Sequence, residues 1–230
     1  MEEKANWKTG AHGHRFIASF SGGKDSVLAL YKSMKVGEAI GLIVMMEEEG
    51  KRSRSHGMPP ELIRAQAESI GLPVYSAAAS WEEYESKFII LLEQAKRQGA
   101  EALVTGDLDM SIEDCWHDKV TRIAGLKLGM PLWETDHQEA VDEFINLGFI
   151  SMLVTVNLSL GMKEEDLGRI LTHDYIKELQ ARGIDPCGEG GEFHTTVIDG
   201  PLFKHPIPVR KGGILRNGDY AFLPLELLVT

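Results

Sequence analysis

The chain has 230 residues, of which 43% are hydrophobic and 26% are charged, proportions typical of a globular protein with one or two cores. The formal net charge of −11 argues against broad electrostatic binding of nucleic acid or of an anionic membrane surface. All apolar runs are far shorter than the roughly 20 residues of a membrane span, so no membrane partner is expected.

The start of the chain and its cysteines predict a cytoplasmic protein. The first 13 residues are polar and lack the apolar core of a signal peptide. The two cysteines, Cys115 and Cys187, lie far apart in sequence and form no CxxC pair. This spacing argues against a disulfide framework or an iron–sulfur cluster.

Strands and helices alternate through the first 130 residues. Residues 15–20 form a predicted strand, and apolar residues recurring every three or four positions predict a helix over residues 26–34. The same alternation predicts further strands at 39–46, 74–79 and 102–105, and further helices at 60–70, 81–99 and within 111–128. This order indicates βαβ units and a parallel sheet.

Three polar or glycine-rich segments follow predicted strands, at residues 21–26, 47–57 and 106–114. In open α/β sheets, ligands bind beyond the carboxyl ends of the strands. We therefore expect these three segments to converge on one site.

The pattern changes after Pro131. A helix at 138–147, a strand at 150–156, a broken helical stretch at 163–182 and a loop at 185–195 are predicted. Asn217-Gly218 between apolar runs predicts a hairpin, and Pro224 marks an edge strand or its end. We place a domain boundary near residue 130, which gives domains 1–130 and 131–230, the second a smaller α+β domain.

The glycine-rich segment after the first strand has the physical character of a phosphate-binding loop. Gly22 and Gly23 let backbone N–H groups approach an anion, and the following helix adds its positive N-terminal end. Ser21 and Ser26 offer hydroxyl donors, and Lys24 offers a positive charge. The spacing fits neither the Walker A loop nor the dinucleotide fingerprint GxGxxG.

Asp25 is unusual in such a loop, because phosphates repel a carboxylate unless a cation lies between them. It indicates either Mg²⁺ or a structural cap on the helix. The residues alone leave these alternatives open.

The segment SGGKDS after a first strand resembles the PP-loop, SGGxDS, of the ATP pyrophosphatases. This resemblance implies a parallel-sheet, Rossmann-like α/β fold of the adenine-nucleotide α-hydrolase type. It also implies that ATP is cleaved between its α and β phosphates, that AMP passes to an acceptor oxygen, and that a nucleophile then displaces AMP.

Four later segments narrow the resemblance to the diphthine–ammonia ligase family, which amidates a carboxylate with ATP and ammonium. They are GDLD at 106–109, PLW at 131–133, LGRIL at 167–171 and GEGGEFHTTVIDGPLF at 188–203. The chain looks like a bacterial-type branch. Residues 112–117 differ from the Tyr-Gln-Arg cluster of archaeal and eukaryotic members, so the acceptor stays open between diphthine on a protein and a small molecule.

The resemblance implies a nucleotide site in the first domain, with ATP and Mg²⁺ as cofactors. Met45 would recognise adenine through its backbone, and His56 would contact a phosphate or the acceptor. Asp107 would face Mg²⁺ or ribose, or cap a helix, and Asp25 is the candidate metal ligand. The predicted cofactor-binding residues are Ser21, Gly22, Gly23, Lys24, Asp25, Ser26, Met45, His56, Gly106 and Asp107.

The resemblance also implies an acceptor site in the glycine-rich loop of the second domain. Two carboxylates there would attract ammonium or a cationic acceptor, and His194 would orient the acceptor, shuttle a proton or cap the loop. The predicted acceptor-binding residues are Glu189, Gly190, Gly191, Glu192 and Thr195. The predicted catalytic residues are Lys24, Asp25, Glu189, Glu192 and His194.

Two other functions stay open at this point. One is another PP-loop reaction such as tRNA thiolation, in which Cys187 would be the residue to test as a sulfur carrier. The other is a nucleotide-binding sensor without turnover. A homodimer is one option for the assembly.

Overall fold

A computed structural model describes residues 3–54 and 56–228 of the chain. Residues 1–2, 55 and 229–230, which the predicted domains 1–130 and 131–230 include, lie outside the described residues. In chain order the helices and strands are β1 (Arg15–Ser19), α1 (Lys24–Met34), β2 (Glu38–Met46), α2 (Pro60–Ile70), β3 (Val74–Ala78), α3 (Tyr84–Arg97), β4 (Ala102–Val104), α4 (Trp116–Ala124), β5 (Lys127–Gly129), α5 (His137–Asn146), β6 (Ile150–Asn157), α6 (His173–Ala181), β7 (Phe193–Asp199), β8 (Val209–Lys211), β9 (Leu215–Asn217), β10 (Tyr220–Phe222) and β11 (Leu225–Leu227).

The chain forms two compact units. The first contains Met1–Ser21, Asp25–Arg54 and Gly71–Glu134, and the second contains Gly22–Lys24, Ser55–Ile70 and Thr135–Thr230. Two short segments of the first half, one of them the centre of the glycine-rich loop, therefore pack with the second half of the chain. The assignment of ATP to residues 1–130 and of the acceptor to residues 131–230 stays a prediction.

The first unit is built on a five-stranded sheet in the order β3-β2-β1-β4-β5. All four strand pairings are parallel. Helix α3 packs its apolar face on the sheet, with Phe88 and Leu92 buried against Ile17 and Leu103. This confirms the predicted parallel-sheet α/β fold.

The second unit contains antiparallel strands and helices. Four strands form a sheet in the order β7-β6-β10-β9, and β11 pairs with β8. Helix α2 contacts β11. This confirms the predicted α+β character of the C-terminal region. Among the described residues, no helix has the length and apolar character needed to cross a bilayer.

Helix α4 lies within the predicted range 111–128 and ends where Gly125 adopts φ 66°, and strand β5, which follows it, was not predicted. Three other local predictions were wrong in detail. Strand β7 begins at Phe193, so the loop ends at residue 192, three residues before its predicted end at Thr195. The hairpin turn lies one residue later than predicted, since Asn217 pairs with Tyr220. Trp81 precedes α3 and is 77% exposed, whereas the periodicity placed it on the helix face.

Candidate functional site

The glycine-rich loop joins β1 to the first turn of α1. Gly22 has φ +77°, a left-handed conformation that glycine adopts without steric cost. The hydroxyl of Ser21 donates to the hydroxyl of Ser26 at 3.1 Å. The helix begins at Lys24, two residues before the predicted start, so its N-terminal end lies inside the motif.

Strand β7 holds the centre of this loop through hydrogen bonds to the loop backbone, all within the second unit. The N–H of Val197 donates to the carbonyl of Gly22 at 2.9 Å, and the N–H of Lys24 donates to the hydroxyl of Thr195 at 3.1 Å. The two most specific segments of the sequence are therefore joined. Thr195, which the sequence assigned to acceptor binding, therefore bonds directly to the SGGKDS loop.

Lys24 is almost completely buried, with 4% of its surface exposed. Its ammonium donates to the carbonyl of Cys187 and lies 5.8 Å from the centre of the Phe193 ring. These contacts compensate part of the cost of burying a charge. They also hold the ammonium beside the glycine-rich loop that begins at Gly188.

The thiol of Cys187 has a structural position. It is 2% exposed and donates to the carbonyl of His137 at 3.1 Å. The backbone N–H of Cys187 donates to Asp185 Oδ1 at 2.7 Å. Sulfur carriers are reactive when the thiol is accessible and close to positive charge, and a buried thiol bonded to a carbonyl does not favour that role.

His56 lies against the same loop and is held in one tautomer. Its Nδ1 is 2.8 Å from the carbonyl oxygen of Thr195, and because a carbonyl only accepts, Nδ1 carries the proton and Nε2 carries a lone pair. Burial, followed by the positive charge of Lys24, lowers the pKa of His56 to about 4, against the opposing hydrogen bond to Thr195. A Cβ at Gly23 would come within 2.3 Å of His56 Cε1, so the imidazole packs directly on the loop backbone.

His194 on β7 is the second imidazole at this place. The ring centres of His56 and His194 are 4.8 Å apart, with 33° between their planes. The structure thus brings together His56, predicted for phosphate or acceptor, and His194, predicted for catalysis.

The loop that carries the two predicted carboxylates turns through left-handed glycines, with φ +72° at Gly188 and +84° at Gly191. The carboxylate of Glu192 folds over Gly190, where a Cβ would lie 2.9 Å from Oε1. Oε2 of Glu192 is buried and has no hydrogen-bond partner among the described residues. Glu189 lies three residues earlier and is exposed.

Sequence reasoning missed Gln66, a fully buried residue of α2. Its side-chain amide donates to the carbonyl of Gly22 at 3.1 Å, to the hydroxyl of Thr196 at 3.2 Å and to the carbonyl of Val197 at 2.7 Å. The available signal was a polar residue on the apolar face of an amphipathic helix, beside Leu62 and Ile63.

The other predicted nucleotide residues lie in the first unit, at the carboxyl ends of its strands. A Cβ at Gly106 would lie 2.7 Å from the carbonyl carbon of Asp25 and 2.8 Å from the backbone nitrogen of Ser26. Only glycine therefore allows the end of β4 to pack on the first turn of α1. Met45 is buried, and its carbonyl accepts the N–H of Arg54 at 3.0 Å.

Asp107 follows Gly106 and approaches His117 of α4, with 3.3 Å between Oδ2 and Nδ1. Burial lowers the pKa of His117, and the charge of Asp107 raises it in part. Residues 112–117, where the resemblance predicts a departure from archaeal and eukaryotic members, include the start of α4, where Trp116 donates to Glu85 at 2.8 Å. His117 places this segment beside Asp107, a predicted nucleotide residue.

The described side chains include no group of three His, Cys, Asp or Glu residues arranged to hold a metal ion. Mg²⁺ commonly takes only one or two carboxylates from a protein and its other ligands from phosphates and water. A carboxylate at Asp25, in the first turn of α1, fits that mode of binding.

Two family models together match most of the chain. The family model described as the diphthamide synthase N-terminal domain matches residues 14–128, and the model described as the diphthamide synthase C-terminal domain matches residues 136–227.

Several curated diphthine–ammonia ligases are similar to the chain. The protein of Schizosaccharomyces pombe is 25% identical over 94% of this chain, which spans 39% of that protein. The Danio rerio protein is 24% identical over 93% of each chain, and the Homo sapiens protein is 24% identical over 93% of this chain and 90% of its own.

A solved structure described as a predicted subunit of tRNA methyltransferase from Methanocaldococcus jannaschii aligns with a TM-score of 0.45 and 18% identity. The alignment covers 84% of this chain and 100% of that one. A similarity at this level supports no statement about function.

Proposed function

Because the chain belongs to the diphthamide synthase family, as the resemblance predicted, we propose that it is an ATP-dependent ligase that joins ammonia to an acceptor carboxylate. The observation that supports this most is the hydrogen bonding between the SGGKDS loop and strand β7. It connects a phosphate-binding segment with the glycine-rich block that contains two carboxylates and His194.

The proposed reaction has two steps. An acceptor carboxylate oxygen attacks the α-phosphorus of ATP, the bond from that phosphorus to the α–β bridging oxygen breaks, and pyrophosphate leaves with the electron pair. Ammonia then attacks the activated carboxyl carbon, AMP leaves with the carbon–oxygen bonding pair, and the nitrogen loses a proton. The products are an amide, AMP and pyrophosphate.

The loop would stabilise the charge that develops on the phosphates. Backbone N–H groups of the loop and the first turn of α1 are fixed donors, which stabilise a transition state without reorganisation. Lys24 would contribute its ammonium, which donates to the Cys187 carbonyl. Asp25 would hold Mg²⁺, whose charge would offset that of the phosphates.

The acceptor and ammonium would bind at the glycine-rich loop. Glu189 and Glu192 supply negative charge for ammonium, and the Glu192 oxygen without a described partner is suited to accept an N–H. Thr195 would act indirectly, because its hydroxyl already accepts the Lys24 N–H. The proton lost from nitrogen would pass to His194.

A diphthine-type carboxylate is the proposed acceptor, since the curated relatives are diphthine–ammonia ligases. A small-molecule carboxylate is the second candidate acceptor. It stays a candidate because residues 112–117 differ from the Tyr-Gln-Arg cluster on which the resemblance to archaeal and eukaryotic members would depend. Free ammonium is the proposed nitrogen source, the cytoplasm the proposed location, and a homodimer stays a prediction.

Isotope transfer tests the proposal. Acceptor labelled with ¹⁸O in its carboxylate should pass one labelled oxygen to AMP for each amide formed, as detected by mass spectrometry. Label in orthophosphate instead would show attack at the terminal phosphate and refute the AMP-forming step. Transfer of sulfur to RNA, or ATP binding without turnover, would favour the two other functions.

A further inference from the structure

The side chain of Gln66 reaches from helix α2 to the centre of the glycine-rich loop. Gln66 is 0% exposed, and its Nε2 lies 3.1 Å from the carbonyl oxygen of Gly22. The same nitrogen lies 2.7 Å from the carbonyl oxygen of Val197, whose own N–H donates to Gly22 at 2.9 Å. One side-chain amide thus links the loop to strand β7.

The direction of this side chain is fixed by its partners. Nε2 has two hydrogens and three oxygens within 3.2 Å, whereas an inverted amide would place a carbonyl against acceptors. Oε1 would lie 2.4 Å from a Cβ at Gly22 and has no hydrogen-bond partner among the described residues. An unpaired buried oxygen is unfavourable. The opposite orientation would also lose the hydrogen bonds that Nε2 donates to the loop and to β7.

The Gly22–Gly23 peptide is the part of the loop that this contact controls. In a planar trans peptide the C=O and N–H point in opposite directions. Two donors, Val197 N–H and Gln66 Nε2, hold the Gly22 carbonyl on the side of β7. The N–H of Gly23 must therefore point to the other side. Two successive glycines rotate such a peptide at little steric cost, so its orientation needs external contacts.

We infer that Gln66 is a positioning residue for phosphate binding: it fixes the Gly22–Gly23 peptide so that the Gly23 N–H faces the phosphates of ATP. The inference rests on the proposed function, because it assigns the loop to ATP. Gln66 itself would contact neither the nucleotide nor the acceptor. With Gln66 in place, a larger fraction of the protein molecules would have the loop in the conformation that binds ATP and reacts.

Replacement of Gln66 by Met tests this role, because Met has similar volume but no donor. We expect kcat/KM for ATP to fall at least tenfold. Calorimetric titration with ATP alone should show weaker binding, and the Gly23 amide should change its ¹⁵N chemical shift and exchange faster with solvent. The Thr196→Val variant, which removes only the third acceptor, should stay within about threefold of the wild type.

A matched control separates positioning from stability. Leu62 lies one turn before Gln66 on α2 and is also fully buried, so Leu62→Ala should lower Tm at least as much as Gln66→Met. At a temperature where all variants are folded, Leu62→Ala should keep kcat/KM within about threefold. If Gln66→Met keeps the wild-type value, or if both variants lose activity in proportion to stability, the inference is wrong.

The same experiment distinguishes this inference from the proposed function. ATP affinity and the Gly23 amide signal are measured without acceptor, so they report on Gln66 whatever the products are. A wild-type protein that releases ADP and orthophosphate would refute the proposed reaction. Unchanged ATP affinity and an unchanged Gly23 signal in Gln66→Met would refute the positioning role alone.

Discussion

The backbone N–H of Lys24 donates to the hydroxyl of Thr195 at 3.1 Å, across 171 residues of sequence. Lys24 belongs to the SGGKDS loop and Thr195 to the GEGGEFHT block. The Lys24 ammonium also donates to the carbonyl of Cys187, so the backbone of the lysine is held to this block and its side chain to the residue before it. The centre of the SGGKDS loop and the GEGGEFHT block are therefore adjacent within the second unit.

Lys24→Ala should remove one fixed positive donor from the phosphates. We expect a loss of roughly 2–4 kcal/mol in transition-state stabilisation, by analogy with removal of one preorganised donor. Steady-state kinetics with varied ATP measure it. Lys177→Ala is the control, since that side chain is 76% exposed. Equal kcat/KM in the two variants would exclude Lys24 from the reaction.

Asp25→Asn should lose activity at every Mg²⁺ concentration while Tm stays close to that of the wild type. The reason is that the amide is a poor ligand for a hard cation. Activity titrations with Mg²⁺ and thermal unfolding provide the two readouts. If the variant unfolds readily but its folded fraction turns over normally, Asp25 is a helix cap.

Glu189→Gln and Glu192→Gln should each leave the affinity for ATP within about threefold of the wild-type value. This change is smaller than the tenfold change in affinity that equals about 1.4 kcal/mol. Amide formation should fall at least a hundredfold, the low end for loss of a positioned catalytic group. Calorimetry and a turnover assay measure these quantities separately. Loss of ATP binding in a folded variant would instead assign the loop to the nucleotide site.

His56 should make the protein less stable as the pH falls from 6.5 to 4. Its pKa is lowered to about 4 in the folded state, so in this window the unfolded chain binds more protons, and the free energy of unfolding decreases with falling pH. The expected contribution is roughly 3 kcal/mol over the whole window. It is fully present above the unfolded pKa of 6.5 and is lost as the pH falls to about 4.

Urea unfolding of the wild type and of His56→Gln between pH 4 and pH 7 measures this effect. The variant should show a weaker decrease of stability toward pH 4. His12→Gln, a change at an exposed histidine, should keep the wild-type profile. Identical profiles for wild type and His56→Gln would show that His56 is not buried as a neutral group.

The sequence predicted the elements with strong periodicity or with a continuous apolar run. Strands β1 to β4 and helix α2 were located to within one or two residues for this reason. Strand β5 was missed, because Lys127-Leu128-Gly129 contains neither the apolar run of β4 nor a recognisable period of two. Strand β7 was placed in part of a loop, because glycines precede it directly.

The parts of the candidate site that form contiguous motifs could be predicted from the sequence. The contacts between residues that are far apart in the sequence could not. The SGGKDS loop and the GEGGE block were both identified, but nothing in one sequence shows that Thr195 bonds to Lys24. Gln66 could not be found for the same reason, since its role follows from the acceptors that the fold places around it. Polar residues on the buried face of a helix are the signal that such cases share.

The most direct test of the account is a ³¹P NMR analysis of the products formed from ATP, Mg²⁺, ammonium and an acceptor carboxylate, with a diphthine-bearing protein as the first acceptor. The account predicts AMP and pyrophosphate in equal amounts, one of each for every amide, and neither product from Lys24→Ala at a comparable rate. Amide formation accompanied by ADP and orthophosphate would contradict it.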